Sequence, residues 1–398
     1  MAPDEKPYRV YRGGRARGKV PSPTGRARQA KDRPKRGRAR GAGSYRGPGA
    51  PEQRPVWRRI SWRRALVLGV LVLVALVGVW AIAGFLAVRG GVAAANERLA
   101  PEARAQLARD DGLVLTNPTT ILLLGTDTSD VAGREGNRHA DSIMLVRTDP
   151  SKHRISYLSI PRDLLVPVPG FGNTKINASY QSGGAALAIR TVRELTGVPI
   201  EHVVVVDFAS FRELIDAVGG VDVDVPKAIL SNRFDCPRKT EQQCSQWEGW
   251  RFGKGRHHMD GRRALIYARI RENRLDPGET DLTRAARQQS VMQATTSKLT
   301  SPSTLLRLPF AGDDMLKPLA TDLSAGEILQ LGWVKKRASA GNVLYCRFGG
   351  DPTTAGGQSV IIPSEDNRTV LAMWQGISAP QPPSSTYGPG CAKGRPLR

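Results

Sequence analysis

Three arginines, an aspartate and a glutamine in the second half of the chain are spaced so that they could form an anion-binding site. Arg269 and Arg271 are two residues apart, a spacing that places both on one face of an extended segment. Asp281, Arg284 and Gln288 follow at intervals of three and four, which is one face of a helix. Guanidinium groups gathered in this way can bind phosphate oxygens in bidentate fashion. A solvated helix with an ordinary ion-pair face explains this stretch alone equally well, so the rest of the chain must decide.

Two further aspartates and one arginine lie at the ends of predicted strands. Asp127 ends ILLLGTD, Asp141 precedes SIMLVRTD, and Arg162 follows SIP. Taken singly, such residues are more often turn, capping or ion-pair residues. Taken together with the arginines above, they predict a site in which a divalent ion and several guanidiniums hold a diphosphate. A coordination shell of carboxylate oxygens, with water and phosphate as the remaining ligands, suits Mg²⁺ or Mn²⁺.

The order of predicted elements indicates an α/β fold. Strands and helices alternate without a sharp change of composition, which predicts a single domain over 119–376, an α-β-α sandwich with a central mixed sheet. We expect 226–258 to be a polar loop and 377–398 to be a flexible Pro/Ser-rich tail. Strands are predicted at 121–127, 142–149, 154–163, 202–208 and 221–225, and helices at 185–197, 211–220 and 281–299.

A charge-free apolar run precedes this domain. Residues 65–88 form 24 consecutive residues without a charge, enough to cross a hydrocarbon core as a helix. Tryptophans and arginines crowd the N-terminal side of the run, so the positive-inside rule places the N-terminus in the cytoplasm and the domain outside. A cleaved signal peptide is the alternative, but the length of the run and of the segment before it favours an uncleaved signal-anchor. We expect 89–118 to be a spacer between this helix and the domain.

The basic charge of the chain is concentrated before the apolar run. Residues 1–64 contain 20 Lys and Arg against 4 Asp and Glu, which is +16 of the formal net charge of +23. This segment is rich in Gly, Pro and Arg and poor in aliphatic residues, so we expect a disordered cytoplasmic arm. Nucleic acid is not an expected partner, because the positive charge lies beside a predicted membrane span rather than across a folded domain.

The cysteine count fits an extracytoplasmic domain. All four cysteines follow the apolar run, and an even number in an oxidising compartment favours disulfides over a metal site. Cys236 and Cys244 bracket a short polar loop and are the favoured pair, which leaves Cys346 for Cys391.

Seven motifs, in order, resemble those of the LytR-CpsA-Psr family. They are GTD, RHADSIMLV, SIPRD, KINASY, VDFASFRELIDAVGGVDVDV, MDGRRALIYARIR and DLTRAARQQ. The resemblance covers residues 119–300 and extends more loosely to 376. The arm, the single predicted span and the external domain agree with the layout of that family.

The resemblance implies a cell-wall phosphotransferase. Such an enzyme transfers a glycopolymer from a polyprenyl diphosphate carrier to peptidoglycan, with the lipid chain in an apolar tunnel between sheet and helices. By motif, Asp127 and Asp141 match the magnesium-associated aspartates. The diphosphate-binding set is matched by Arg162, Arg269, Arg271, Arg284 and Gln288, with Asp281 as an orienting residue, and the catalytic residues are expected among Asp127, Asp141, Arg162 and Arg284.

Two other functions are compatible with the same residues. One is an enzyme that only hydrolyses the polyprenyl diphosphate, or that passes the glycan to a surface protein. The other is a membrane-anchored regulator of envelope functions without catalytic activity. No general base is evident in the motifs, although Asp141 or Asp163 could serve.

Overall fold

The computed structural model describes residues 61–108, 112–127, 139–238, 240–276, 281–385 and 387–394. The predicted basic arm, apart from its last four residues, and Arg138 of the RHAD motif lie outside the described residues. Asp281 is placed in the backbone of a helix, but its side chain is outside the description as well.

The helices and strands alternate along the described chain. The helices are α1 (Trp62–Arg98), α2 (Pro101–Arg104), α3 (Ala178–Thr196), α4 (Phe208–Ala217), α5 (Glu241–Ser245), α6 (Gly261–Arg269), α7 (Asp281–Leu299), α8 (Pro302–Leu316), α9 (Ala325–Arg337) and α10 (Asn367–Gln375). The strands are β1 (Thr119–Asp127), β2 (His139–Asp149), β3 (Arg154–Ile160), β4 (Leu165–Val168), β5 (Gly172–Lys175), β6 (His202–Asp207), β7 (Val221–Val225), β8 (Ile229–Leu230), β9 (Arg251–Phe252), β10 (Gly255–Met259), β11 (Ala320–Thr321), β12 (Val343–Arg347), β13 (Gly350–Ala355), β14 (Gln358–Pro363) and β15 (Gly390–Lys393).

A seven-stranded mixed sheet forms the centre of the molecule. Its strand order is β11-β6-β1-β2-β3-β12-β15. Strand β1 pairs parallel with β6 and antiparallel with β2, and β3 pairs antiparallel with β2 and parallel with β12. The predicted α/β class with a mixed central sheet is therefore confirmed.

Helices cover both faces of the sheet, because successive strand residues point to opposite sides. Leu122 and Leu124 of β1 pack in one cluster with Leu187 of α3 and Trp374 of α10. Ile121 lies on the other face, in a cluster against which Met292 of α7 packs. The sheet is thus buried on both sides, which explains the nearly unbroken apolar sequence of its central strands.

Local signals in the sequence set the ends of the helices that border the second face. Asp207 ends β6 and caps α4, its carboxylate accepting a hydrogen bond from the Ser210 amide at 2.7 Å. Gly219 and Gly220 follow α4 at φ of 80° and 81°, a conformation that favours glycine and ends the helix. Asp260 caps α6 in the same way, accepting from the Arg263 amide at 2.7 Å.

The strand predicted at 221–225 forms as β7, which pairs with β10 outside the central sheet. Two other predictions differ from the structure. The segment 226–258, predicted to be a loop, contains β8, β9, α5 and the start of β10. The predicted flexible tail contains β15, which pairs antiparallel with β12 and completes one edge of the central sheet. Each of these pairings joins segments distant in sequence, so local composition could not reveal it.

Helix α1 runs without interruption through the predicted span and into the predicted spacer. It is 37 residues long, and within the described chain it is the one helix long and apolar enough to cross a membrane. Its first part is exposed, whereas Val88, Val92 and Ala95 near its C-terminal end are buried against the domain.

The four cysteines lie in the two predicted pairs at disulfide distance. The sulfurs of Cys236 and Cys244 are 2.15 Å apart, and those of Cys346 and Cys391 are 2.05 Å apart. The second pair joins directly opposed residues of β12 and β15, so it holds the C-terminal strand on the sheet.

Removal of the Cys346–Cys391 pair should destabilise the domain more than removal of the Cys236–Cys244 pair. The two pairs close loops with sequence separations of 45 and 8 residues. Chain entropy alone then predicts losses of about 4 and about 2.5 kcal/mol in the free energy of unfolding. The measurement is chemical unfolding of the two paired Cys→Ala variants in detergent. Equal losses would contradict a structural role for the β12–β15 link, and free thiols in the native protein would contradict both bonds.

Candidate active site

An apolar cavity of about 430 Å³ lies between the sheet and the helices of its second face. Strands β1, β2 and β6 form its floor, and α4, α6 and α7 form its walls. Apolar side chains dominate the lining, among them Leu123, Met144, Val206, Phe211, Leu214, Val291 and Leu299. A cavity of this kind suits a ligand with a substantial hydrocarbon portion.

Most of the polar residues predicted from the sequence meet at the wall of this cavity. The lining includes Asp127, Asp141, Arg269, Arg271, Arg284 and Gln288. Arg162 borders a smaller neighbouring cavity that shares Asp141, Arg284 and Gln288 with the larger one. Asp281 begins α7, the helix that carries Arg284 and Gln288, and its side chain is not described. Five elements of the fold therefore contribute to one polar cluster.

A β-bulge turns Asp141 towards the cavity. Gly125 pairs with Ser142 and Thr126 pairs with Ala140, so Asp141 is the extra residue of β2 at this point. Strict alternation would place Asp141 on the opposite face of the sheet from Ser142, yet both line the cavity. Ala140 is correspondingly packed in the core on the α3 side. Bulges commonly re-aim a side chain in this manner next to a functional site.

Arg162 is held between two carboxylates. Its Nη1 donates to Asp141 Oδ1 at 2.5 Å, and its Nε donates to Asp163 Oδ2 at 3.3 Å. The other oxygen of Asp163 pairs with Lys175 Nζ at 3.1 Å. Asp163 therefore orients Arg162 and is paired with a basic side chain through each of its two oxygens.

Arg284 projects from α7 onto the bulged strand. Its side chain is buried, and its Nη2 donates to the backbone carbonyl of Asp141 at 3.0 Å. Gln288 follows one helical turn later and lines both cavities. The predicted spacing of these two residues along one helix face therefore places them at the site.

Arg269 and Arg271 lie on either side of the end of α6. Arg269 stacks over the rings of Phe208 and Phe234, with its guanidinium carbon 4.6 and 5.6 Å from the ring centroids, and it is paired with Asp235. Stacking of this type holds a guanidinium plane in a fixed orientation. Arg271 is exposed at the cavity wall, where its charge is available to a ligand entering from solvent.

The arginines determine the ionisation of Asp141. Burial by itself would raise the pKa of this carboxyl group. The positive charges of Arg162 and Arg284, the hydrogen bond from Arg162 and the charge of Arg271 together outweigh burial, so the pKa lies below its ordinary value of 3.8. Asp141 is therefore an ion-pairing carboxylate and a weak proton acceptor at neutral pH.

Two residues that the sequence argument did not select also shape the site. Asp207 pairs in register with Thr126 at the end of the parallel strand β6 and lines the cavity near Asp127. The strand-end rule that selected Asp127 applies to Asp207 equally and could have found it. Arg287 is buried in α7 and donates to the carbonyl of Ile270 at 2.5 Å, which ties α7 to the residue between Arg269 and Arg271. The position of Arg287 in the sequence does not indicate that its side chain binds α6, whereas that of Arg284 binds the bulged strand.

The donor set at the cavity fits Mg²⁺ or Mn²⁺ better than a softer metal. Asp127 and Asp141 supply hard carboxylate oxygens, and the buried Oδ1 of Asn232 at the same cavity has no hydrogen-bond partner among the described residues. Among the described residues, no three or more His, Cys, Asp or Glu side chains are grouped so that together they could hold a metal ion. Mg²⁺ tolerates such a sparse set, because it retains waters and binds substrate phosphates alongside one or two carboxylates.

Comparison with known proteins agrees with the motif order. The model of the LytR_cpsA_psr family matches residues 87–373. The polyisoprenyl-teichoic acid–peptidoglycan teichoic acid transferases TagV of Bacillus subtilis and TagU of Bacillus mycoides are 33% and 32% identical over 54% and 56% of this chain. The regulatory protein MsrR of Staphylococcus aureus is 32% identical over 54% of this chain.

The matched part of the chain covers limited shares of these relatives: 52% of TagV, 71% of TagU and 59% of MsrR. The crystal structure of B. subtilis TagV superposes on 66% of this chain and 97% of that chain, with a TM-score of 0.54 and 28% identity. The fold described above is therefore similar to that of TagV.

Replacement of Asp141 by Asn should remove a pH-dependent part of the stability. Because the folded pKa of Asp141 is lowered, its contribution is fully present above the unfolded value of about 3.9 and is lost as pH falls through the folded pKa. The difference in free energy of unfolding between wild type and Asp141→Asn should shrink below about pH 4. Chemical unfolding at a series of pH values measures it, with the exposed Asp224→Asn of β7 as the control. A difference that is constant with pH would contradict this assignment.

Proposed function

Because the chain belongs to the LytR-CpsA-Psr family, we propose that it is a phosphotransferase that attaches a glycopolymer from a polyprenyl diphosphate carrier to peptidoglycan during cell-wall assembly. The observation that carries this proposal is the junction of an apolar cavity with a cluster of arginines and aspartates. A polyprenyl diphosphate has the same two parts, a hydrocarbon chain and a multiply charged head. The names of TagV and TagU, which are transferases of this kind, support the same conclusion.

The polar cluster is suited to hold the diphosphate. Arg269 and Arg271 approach it from α6, Arg284 and Gln288 from α7, and Arg162 from the end of β3. In the structure, carboxylates pair with Arg162 and Arg269. Phosphate oxygens can take over these hydrogen bonds, since a diphosphate carries more charge and more acceptor oxygens than a carboxylate.

The proposed reaction forms one phosphorus–oxygen bond and breaks another. A muramic acid hydroxyl of peptidoglycan attacks the phosphorus bonded to the glycan, and the bond from that phosphorus to the bridging oxygen breaks. Polyprenyl phosphate leaves with the electron pair, and the hydroxyl proton passes to solvent or to the departing phosphate. Arg284 and its neighbours stabilise the negative charge that develops on the leaving group.

Positioning and charge stabilisation supply most of the catalysis in this proposal. Asp141 and Asp163 are both engaged by basic side chains, so neither is assigned as a general base. Phosphoryl transfer with a loose transition state depends little on deprotonation of the nucleophile before attack. The bound ion would be held by Asp127 and Asp141, and it supplies further positive charge at the phosphates.

Helix α1 is assigned to the membrane span in this proposal, with the N-terminus in the cytoplasm and the α/β domain outside. The exposed apolar surface along residues 66–86 supports a lipid environment. An extracytoplasmic location agrees with the two cysteine pairs, because disulfides persist in oxidising compartments.

Arg284→Ala should lower the rate of glycopolymer transfer by roughly 100- to 1,000-fold, the usual effect of losing one preorganised donor to a developing anion. The measurement is transfer of labelled glycopolymer from a polyprenyl diphosphate donor to peptidoglycan. Arg271→Ala tests the same polar cluster. Because Arg271 is exposed, its replacement should not impair folding in the way that loss of a buried side chain can. Arg256→Ala is the matched control, because that side chain is 77% exposed on β10 away from the cavity.

The outcomes of this assay separate the candidate functions. Phosphate release without incorporation into peptidoglycan would replace the transferase by a hydrolase. Full transfer by folded Arg284→Ala and Arg271→Ala proteins would contradict the assignment of the site. Absence of both transfer and release in the wild type would favour a regulator without catalytic activity.

Chelation of divalent ions should abolish transfer, and Mg²⁺ or Mn²⁺ should restore it. Asp127→Asn removes one of the two proposed carboxylate ligands, so a higher Mg²⁺ concentration should be needed for half-maximal activity and for thermal stabilisation by the ion. Asp224→Asn serves as the control for a change of surface charge. Undiminished activity in excess chelator would rule out the proposed role of the ion.

A further inference from the structure

Helix α8 carries two large apolar side chains on an outward face. Phe310 is 85% exposed and Leu306 is 68% exposed, and they are one helical turn apart. Phe310 is the most exposed large apolar side chain in the described part of the chain. The cavity and the core clusters do not account for this face, because it points away from both.

Helix α8 lies alongside α1 and runs in the same direction. Trp80 Nε1 of α1 donates to the carbonyl of Leu306 at 3.2 Å. Further along both helices, Gly84 lies against Leu308 and Pro309, and Gly312 lies against Val88. Residues further along α1 contact residues further along α8. Each turn of α8 therefore lies beside a defined turn of α1.

Glycines permit this close approach. A Cβ atom at Gly91 would lie 2.7 Å from the carbonyl oxygen of Asp313, and one at Gly312 would lie 3.2 Å from the amide nitrogen of Val88. A side chain at Gly91 would therefore force the backbones to shift, and one at Gly312 would make an unusually tight contact. Small residues at a helix–helix contact are the usual means by which helices pack closely in or beside a membrane.

The level of Leu306 and Phe310 coincides with the outer end of the proposed span. A helix needs about 20 apolar residues to cross the hydrocarbon core, and a run that begins at Ala65 reaches that length at Gly84. Leu306 contacts Trp80 just before this point. Asp313 lies beyond it, beside Gly90 and Gly91.

We propose that Leu306 and Phe310, on the outward face of α8, insert into the outer leaflet of the bilayer that α1 crosses. The proposal rests on the assignment of α1 to the membrane span and not on the transferase activity. The other exposed long side chain at this level, Arg307, is directed to the domain, with its Nη1 near Gly219 after α4. Helix α8 therefore presents its apolar side chains on the outward face and makes a polar contact with the domain on another face.

This position connects the cavity with the membrane. Leu299 and Leu319 line the cavity, and they flank α8 immediately before and after it in the chain. Two residues of the apolar lining and helix α8 therefore belong to one continuous segment of the chain.

Spin labels at single introduced cysteines test the insertion directly. The described chain has no free cysteine, so a maleimide nitroxide reacts at the introduced position. The variants are Phe310→Cys and Leu306→Cys, with Val74→Cys within the span as the lipid reference. The aqueous reference is Ile377→Cys, because Ile377 is 77% exposed and follows α10 at the opposite edge of the sheet from α1. The full chain is reconstituted in phosphatidylcholine–phosphatidylglycerol vesicles.

Collision rates with oxygen and with a water-soluble nickel complex are then measured by power saturation. We expect labels at 306 and 310 to show the high oxygen and low nickel accessibility of position 74, and the label at 377 to show the reverse. Nickel accessibility at 306 and 310 equal to that at 377 would overturn the proposal. Nickel accessibility at 74 would overturn the span and the proposal together. Neither readout requires turnover, so failure here is distinguishable from failure of the proposed transferase activity.

Discussion

Compensation of charge beside an apolar cavity is the constraint on which the site depends. Several guanidinium groups cannot be placed at the wall of a largely hydrocarbon-lined space without partners, because desolvation of unpaired charge is costly. Asp141 pairs with Arg162, Asp163 with Arg162 and Lys175, and Asp235 with Arg269. These carboxylates keep the cluster stable without a ligand and leave donors that a diphosphate can share. The lowered pKa of Asp141 has the same cause, because the neighbouring arginines favour its charged form despite burial.

A single helix determines how the cluster faces the cavity. The face of α7 that carries Arg284, Gln288 and Val291 lines the cavity. Another face is fixed to the sheet, because Gln289 Nε2 donates to Ser159 Oγ at 2.9 Å and to the carbonyl of Cys346 at 3.0 Å. Arg287 fixes the same helix to the end of α6. Rotation of α7 would break these buried hydrogen bonds, so its orientation is strongly determined.

The relation between the domain and the membrane follows from another pair of helices. The C-terminal part of α1 is packed against α8 and α9, with Val88, Val92 and Ala325 in one buried cluster. The domain is therefore attached rigidly to the end of the proposed span rather than through a loose spacer. With α8 in the outer leaflet, the cavity would be held close to a carrier lipid in that leaflet, which reduces the entropy cost of bringing the two together.

The amino-acid sequence by itself determined the α/β class, most of the elements of the central sheet, an apolar helix long enough to cross a membrane, and the residues of the polar cluster. These features depend on hydrophobic periodicity, on strand ends and on short motifs, all of which are local. It also indicated the two cysteine pairs, since one pair is close in sequence and only two cysteines then remain. The prediction of Arg284 and Gln288 on one helix face succeeded for the same reason.

Tertiary structure alone decided the bulge that turns Asp141 to the cavity, the inward role of Arg287 and the attachment of β15 at 390–393 to the sheet. Each depends on a partner that is distant in sequence, and neither residue type nor spacing identifies that partner. The same holds for α8, whose internal Pro309 and Gly312 argue against a helix by local propensity. Packing against α1 outweighs that propensity, and both Gly312 and Gly91 lie at the close contact between the two helices.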